Sequence, residues 1–278
     1  MPRGSFALQG GDDGPERSHR PSGKRDVADS QALAPGEQIF GERGARAVHE
    51  EGRVDDRREA RLETRREGVD KRPCRVRTSN PGHCLFTGIA SPDRAAAVAA
   101  TLMSDASFAG WGVRTVAAGA ARYNPMSYHN GSIWPHDNAL VAAGLARYGF
   151  TAAAGRIMSA MFDLSEAVDL HRLPELICGF HRRSGESPTL YPVACAPQAW
   201  AAGAVYLLLQ ACLGLRIEAA ERRVSFSRAV LPDSIDWLRI VNLSVAGANV
   251  DLLLTRHTYD VGVTVLRRDG DVEIVTVQ

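Results

Sequence analysis

Apolar and polar residues alternate with two different periods along this 278-residue chain, and the switch falls near Gly214. Before it, the apolar positions recur at helical spacing. "SPDRAAAVAATLMSD" places Ser91 as an N-cap and Pro92 at the first helical position, ahead of a run of strong helix formers. Further helices are predicted at about 134–148, 151–167 (with Thr151 as cap) and 197–213. The connections between them, 106–133 and 168–196, are long for a plain helical bundle, and loops of that length usually carry function or pack over a face. After Gly214 the period becomes two. "RVSFS", "WLRIVNLSV", "NVDLLLTR", "DVGVTVLRR" and "DVEIVTVQ" read as about five strands of a small antiparallel β unit.

The first 72 residues fit neither pattern. They hold 15 basic and 15 acidic residues with only two aromatics, Phe6 and Phe40. A stretch so charged has little to bury, which predicts disorder or a solvated helix held by i,i+4 pairs in "EEGRVDDRREARLETRREG". Three segments follow: 1–68, a disordered or spurious charged segment; 69–215, helical; and 216–278, the β unit.

Composition narrows the function classes. A net charge of +1 gives no electrostatic argument for nucleic acid or an anionic membrane. The most apolar segment, "AWAAGAVYLLLQACLGL", is too short for a span and contains Gln210, so it reads as a buried helix. The N-terminus shows no apolar signal region, and the five cysteines (Cys74, Cys84, Cys178, Cys195, Cys212) form no CxxC pair. Both point to a cytoplasmic protein with thiols packed as small hydrophobes, and no cofactor is implied.

Candidate chemistry concentrates in the two long loops. "YNPMSYHNGSIWPHDNALVAAG" crowds Tyr128, His129, Asn130, Trp134, His136 and Asp137 together just before a small-residue helix. Aromatic faces and amides are groups that bind sugar rings, although Trp134 and Trp200 also suit a core. His129, His136 and Asp137 are possible metal ligands, but their spacing matches no recognised ligand pattern, and no metal is expected. In the second loop, Glu175 stands between Leu173–Pro174 and "LICGF". Nearby apolar surface is expected to raise its pKa by desolvation, as acid–base chemistry often requires. The competing reading is a Glu at a helix N-terminus, favoured by the macrodipole. Cys178 or Cys195, with His171 or His181, is a weaker nucleophile pairing, since such thiols are usually buried fillers.

The order "YNPMSYHNGSIWPHDNALVAAGLARYG", two small-residue helices, "RLPELICGF", then "YPVACAPQAWAAGAVYLLLQACLGL" resembles the C-terminal part of bacterial glycogen-debranching, amylo-α-1,6-glucosidase-type proteins. These are glucoamylase-like six-hairpin glycosidases. The upstream "KRPCRVRTSNPGHCLFTGIASPDRAAAVAATLMSDASFAGWGVRT" extends the likeness back to about residue 70. The resemblance implies a mainly α fold: a partial (α/α)6 toroid of four or five helices, then the β unit. It implies inverting hydrolysis of α-1,6-glucosidic bonds with Glu175 as general base. Tyr128, His129, Asn130 and Trp134 then line the glycone subsite, with Gln198 and Trp200 in support, and the substrate is an α-glucan or oligosaccharide. The family's acid-bearing half has no counterpart in residues 1–72, and only Asp137 and Glu186 are nearby carboxylates worth testing. The chain is therefore expected to be inactive alone, completed by a partner chain, or a non-enzymatic remnant or interaction module. The first 65 to 70 residues then read as an altered frame or wrong start.

Overall fold

A computed structural model of the chain describes residues 6–9 and 75–277. The expectation for residues 1–68 lies outside these, except for Phe6–Gln9, which form a strand (β1). Five helices follow: α1 (Pro81–Thr87), α2 (Pro92–Leu102), α3 (Pro135–Arg147), α4 (Thr151–Glu166) and α5 (Ala199–Leu213). Three of them, α1 to α3, begin with proline, whose fixed φ and missing N–H suit a first turn. The helical spacing is borne out in α2, where Ala95, Val98, Ala99 and Leu102 form the buried face. Ser91 takes the N-cap position, but its side chain makes no capping bond. Thr151 is already helical and the cap position falls to Phe150, because the chain is still turning there after α3.

Helix α3 is the hub. It packs against α1, α4 and α5, and buried residues occupy most of its circumference. Two glycines allow the closest approach: a Cβ on Gly144 would stand 2.6 Å from the Phe86 backbone N, and one on Gly82 2.6 Å from Val141. Small residues here do the work that a leucine seam does elsewhere: they bring two backbones into contact.

The β unit comprises β2 (Arg216–Glu218), β3 (Arg223–Ser227), β4 (Trp237–Val245), β5 (Ala248–Arg256), β6 (Val261–Asp269) and β7 (Glu273–Val277). An antiparallel meander, β4-β5-β6, carries β1 in parallel on its outer edge, while β2-β3-β7 make a second small sheet. In it β3 pairs antiparallel with β2 and parallel with β7. Val224, Phe226, Leu238, Val250, Leu252 and Leu254 join the helical side chains in one core. The architecture is mainly α, a partial toroid of five helices with a small β unit after it. None of the described helices is long and apolar enough to cross a membrane.

The two long loops are stitched together rather than loose. Single antiparallel bridges run Arg114 to Ile133, Ile133 to Ile177 and Ile177 to Leu190, a one-rung ladder across both loops. Buried Arg114 reinforces it: its Nε donates to the Gly179 carbonyl at 2.7 Å and its Nη1 to the carbonyls of Asp105 and Ala106. Gly179 passes so near Gly131 that a Cβ would lie 1.6 Å from the Gly131 oxygen. This ladder sets Trp134 beside Ile133 and Glu175 two residues from Ile177, which positions the site.

Candidate functional site

Glu175 lies at a bend in the second loop, not at a helix N-terminus, so the macrodipole reading does not hold. It is 5% exposed and exchanges bonds with Cys195 in both directions. Its N–H donates to the Cys195 carbonyl at 2.9 Å, and the Cys195 N–H donates to Glu175 Oε2 at 3.1 Å. The Tyr128 hydroxyl donates to Oε1 at 2.7 Å. These donors decide the carboxylate's state. Tyr128 first, then the Cys195 amide, hold Glu175 below the usual carboxylate range, with smaller help from the Cys195 thiol and Gln198. Burial pushes the other way and loses, so the desolvation-raised pKa expected from the apolar neighbours is overturned. The same bond pushes the Tyr128 hydroxyl up to about 12, which keeps it a donor. A carboxylate held ionised by donors is in the form a general base requires and not the form a general acid requires.

Around it stands an aromatic wall. Tyr128 meets His129 (4.7 Å between centroids), Trp134 (4.9 Å) and Tyr191 (5.5 Å), all edge to face. His129 lies parallel to Trp134 at 6.0 Å. His136 stacks on Trp200 at 4.6 Å and 22°, and meets the edge of Trp134. Trp134 is buried, whereas Trp200 is 47% exposed. Thus Trp134 is a core anchor and part of the wall at once. Gln198 Oε1 accepts from the Ala199 N–H at the start of α5. Asn130 is exposed, and its backbone closes the turn with Asn124 and Ser127.

Several residues that build the site gave no functional signal in the sequence. Ser132 donates to the Tyr128 carbonyl at 2.6 Å and accepts from Trp134 Nε1 at 2.9 Å, fixing the wall's two main rings relative to each other. Asn138, fully buried, accepts from the Val113 N–H and donates to the carbonyls of Val113 and Trp134. The amide in "WPHDN" was the only hint of that clamp. His83, on α1, pairs with Asp137 at 2.6 Å, and this bond raises its pKa.

The other candidates part company. Among the described residues no three His, Cys, Asp or Glu side chains converge as metal ligands, and His129 and His136 lie against tryptophans instead. Cys178 is buried and its thiol is pushed up by burial, while Cys195 is exposed beside Glu175. His171 lies near Glu166 and the Ser165 carbonyl. Glu186 pairs with Arg183 on the surface, and Asp137 spends Oδ1 on His83.

Part of the chain is similar to known proteins. Residues 42–175 match the family model described as the mannosylglycerate hydrolase MGH1-like glycoside hydrolase domain. That stretch begins upstream of the likeness read from the motifs and ends at Glu175. The matched model describes a glycoside hydrolase domain and does not name debranching proteins. No curated protein matches the chain. Among solved structures, the GH63 mannosylglycerate hydrolase from Thermus thermophilus in complex with Tris is 25% identical. The match covers 50% of this chain and 31% of that one, with a TM-score of 0.39. The same hydrolase in complex with glucose matches at 24% identity, over 50% and 32% of the two chains, with a TM-score of 0.37. An uncharacterized conserved protein from the same organism matches at 25% identity over the same shares, also at 0.37. The chain thus spans about a third of the length of the solved structures it matches.

Proposed function

We propose that residues 69–215 form the base-bearing part of an inverting glycosidase site, with Glu175 as general base. The observation that supports this most is the ionised carboxylate, held by Tyr128 and the Cys195 amide, inside an aromatic wall. In the reaction, Glu175 takes a proton from water as the water oxygen bonds to the anomeric carbon. The bond to the leaving oxygen breaks on the opposite face, and that oxygen receives a proton from an acid roughly 6.5–9.5 Å from the base. Neither Asp137 nor Glu186 fits the acid's role, given their partners, so the acid is assigned to a partner chain. Tyr128 holds the base, His129, Asn130, Trp134 and Trp200 face the sugar, and Gln198 braces the start of α5.

The finer reading, rooted in the motif order, is an α-1,6-glucosidic substrate of the debranching type. A second reading, a short glycoside such as mannosylglycerate, is favoured by the family match over residues 42–175. Assay of the full chain and its Glu175→Gln variant on isomaltose, panose, maltose and mannosylglycerate separates them by which is cleaved. Cleavage by wild type and not by the variant supports Glu175 as base. Equal cleavage by both moves the base elsewhere. Sugar binding without cleavage of any substrate leaves the non-enzymatic remnant, or a site awaiting a partner chain.

A further inference from the structure

We propose that His136 is the positioning residue for Trp200, the exposed ring of the wall, and that the His83–Asp137 pair fixes the first turn of α3, which carries His136, to α1. The inference rests on the reading that Trp200 faces the sugar. It starts from a geometry that the hydrolytic chemistry leaves unused. His136 lies face to face with Trp200 at 4.6 Å and edge-on to Trp134 at 5.6 Å, so one imidazole joins the buried tryptophan to the exposed one. Nδ1 of His136 is buried without a hydrogen-bond partner, and the ring packs against both tryptophans.

Trp200 opens α5, whereas His136 belongs to the first turn of α3, so the stack is where these two helices fix the platform. The next residue, Asp137, has nine-tenths of its side chain buried, bonds His83 of α1 through Oδ1, and leaves Oδ2 buried and unpartnered. Three helices therefore meet around the first turn of α3, through the His83–Asp137 pair and the His136–Trp200 stack. The charged groups facing the imidazole are Asp137 on its own helix, His83 on α1 and Glu175 on the second loop. Burial keeps the imidazole neutral against the pull of both carboxylates. A neutral ring stacks without adding charge to the wall. Protonation puts a charge on the same ring, against the face of Trp200.

The test uses tryptophan emission and sugar binding, so it needs no catalytic turnover. In wild type, emission assigned to Trp200 by difference from Trp200→Phe is expected to change as pH falls through a midpoint below 6.5, the ordinary histidine value, because a stacked imidazolium quenches indole. That component should vanish in His136→Phe, which keeps a ring in place. His136→Ala should raise acrylamide access to Trp200 and weaken isomaltose binding about three- to tenfold, the range of one aromatic contact, with His136→Phe restoring both. His83→Gln, remote from the wall, should shift the emission midpoint while the protein stays folded. A Trp200 component that still titrates in His136→Phe overturns the proposal, as does unchanged acrylamide access in His136→Ala. If wild type binds no isomaltose at any pH but the emission results hold, the positioning role stands and the sugar-facing reading of Trp200 falls.

Discussion

At Glu175, hydrogen-bond donors outweigh desolvation, and this single balance decides what the residue can do. The Pro-Glu motif made the carboxylate legible in the sequence, yet its pKa direction was not. Its donors come from residues 47 and 20 positions away, and no local pattern records them. Tyr128→Phe removes the largest of these donors, so the Glu175 pKa is expected to rise toward the ordinary value of 4.5. The check is a pH titration of the carboxylate carbon by NMR, or an upward shift in the acid limb of any pH–rate profile. Asn138 was equally silent, because a buried amide in a helix's first turn looks like any other polar residue there. Asn138→Ala strands the Val113 N–H and carbonyl, and should cost about 2–3 kcal/mol in urea unfolding.

Among the elements, those with long clear periods were legible and short ones were not. Helices α2 to α5 and strands β3 to β7 follow from spacing alone. Helix α1, "PGHCLFT", is only seven residues with a glycine inside, and nothing in its pattern separates it from loop. It forms because α3 offers a glycine-lined surface for its backbone. The loops were recognised as functional by length, but their bridging was hidden, since single bridges need no alternation. Gly144→Ala places a methyl against the Phe86 backbone, which cannot move aside as a side chain can. It is expected to destabilise by about 1–3 kcal/mol and to loosen α1, read as faster amide exchange across residues 81–87.

For the whole molecule, the cited ionisations set an optimum in pH. Glu175 and Asp251 both titrate below their ordinary values, the latter through Arg267 and the Asn242 amide. A lowered carboxylate pKa means the folded state holds its charge more firmly, so this stabilisation is present above the ordinary carboxylate range and lost as pH falls through the folded values. His83 has the opposite sign: raised by Asp137, it stabilises below 6.5 and loses that contribution as pH climbs through its folded value. His136, lowered by burial, opposes it as pH falls below 6.5, so melting temperature is expected to be highest near pH 6.5 and to fall on both sides in a pH series. A maximum well above neutral pH contradicts this assignment. The split into a helical part and a β unit was visible from the change of period near Gly214. Their shared core was not, because Leu238 and Leu213 meet only in three dimensions.

The central claim is that Glu175 serves as the base of an inverting glycosidase wall, and α-D-glucosyl fluoride tests it most directly. Fluoride departs without a proton, so the base side acts even where no acid is supplied. Product followed by proton NMR should appear first as β-glucose. Glu175→Gln should slow it by about 10²–10⁴, and Glu175→Ala with azide should yield β-glucosyl azide. An initial α-glucose product, or a Glu175→Gln variant as fast as the wild type, contradicts the account.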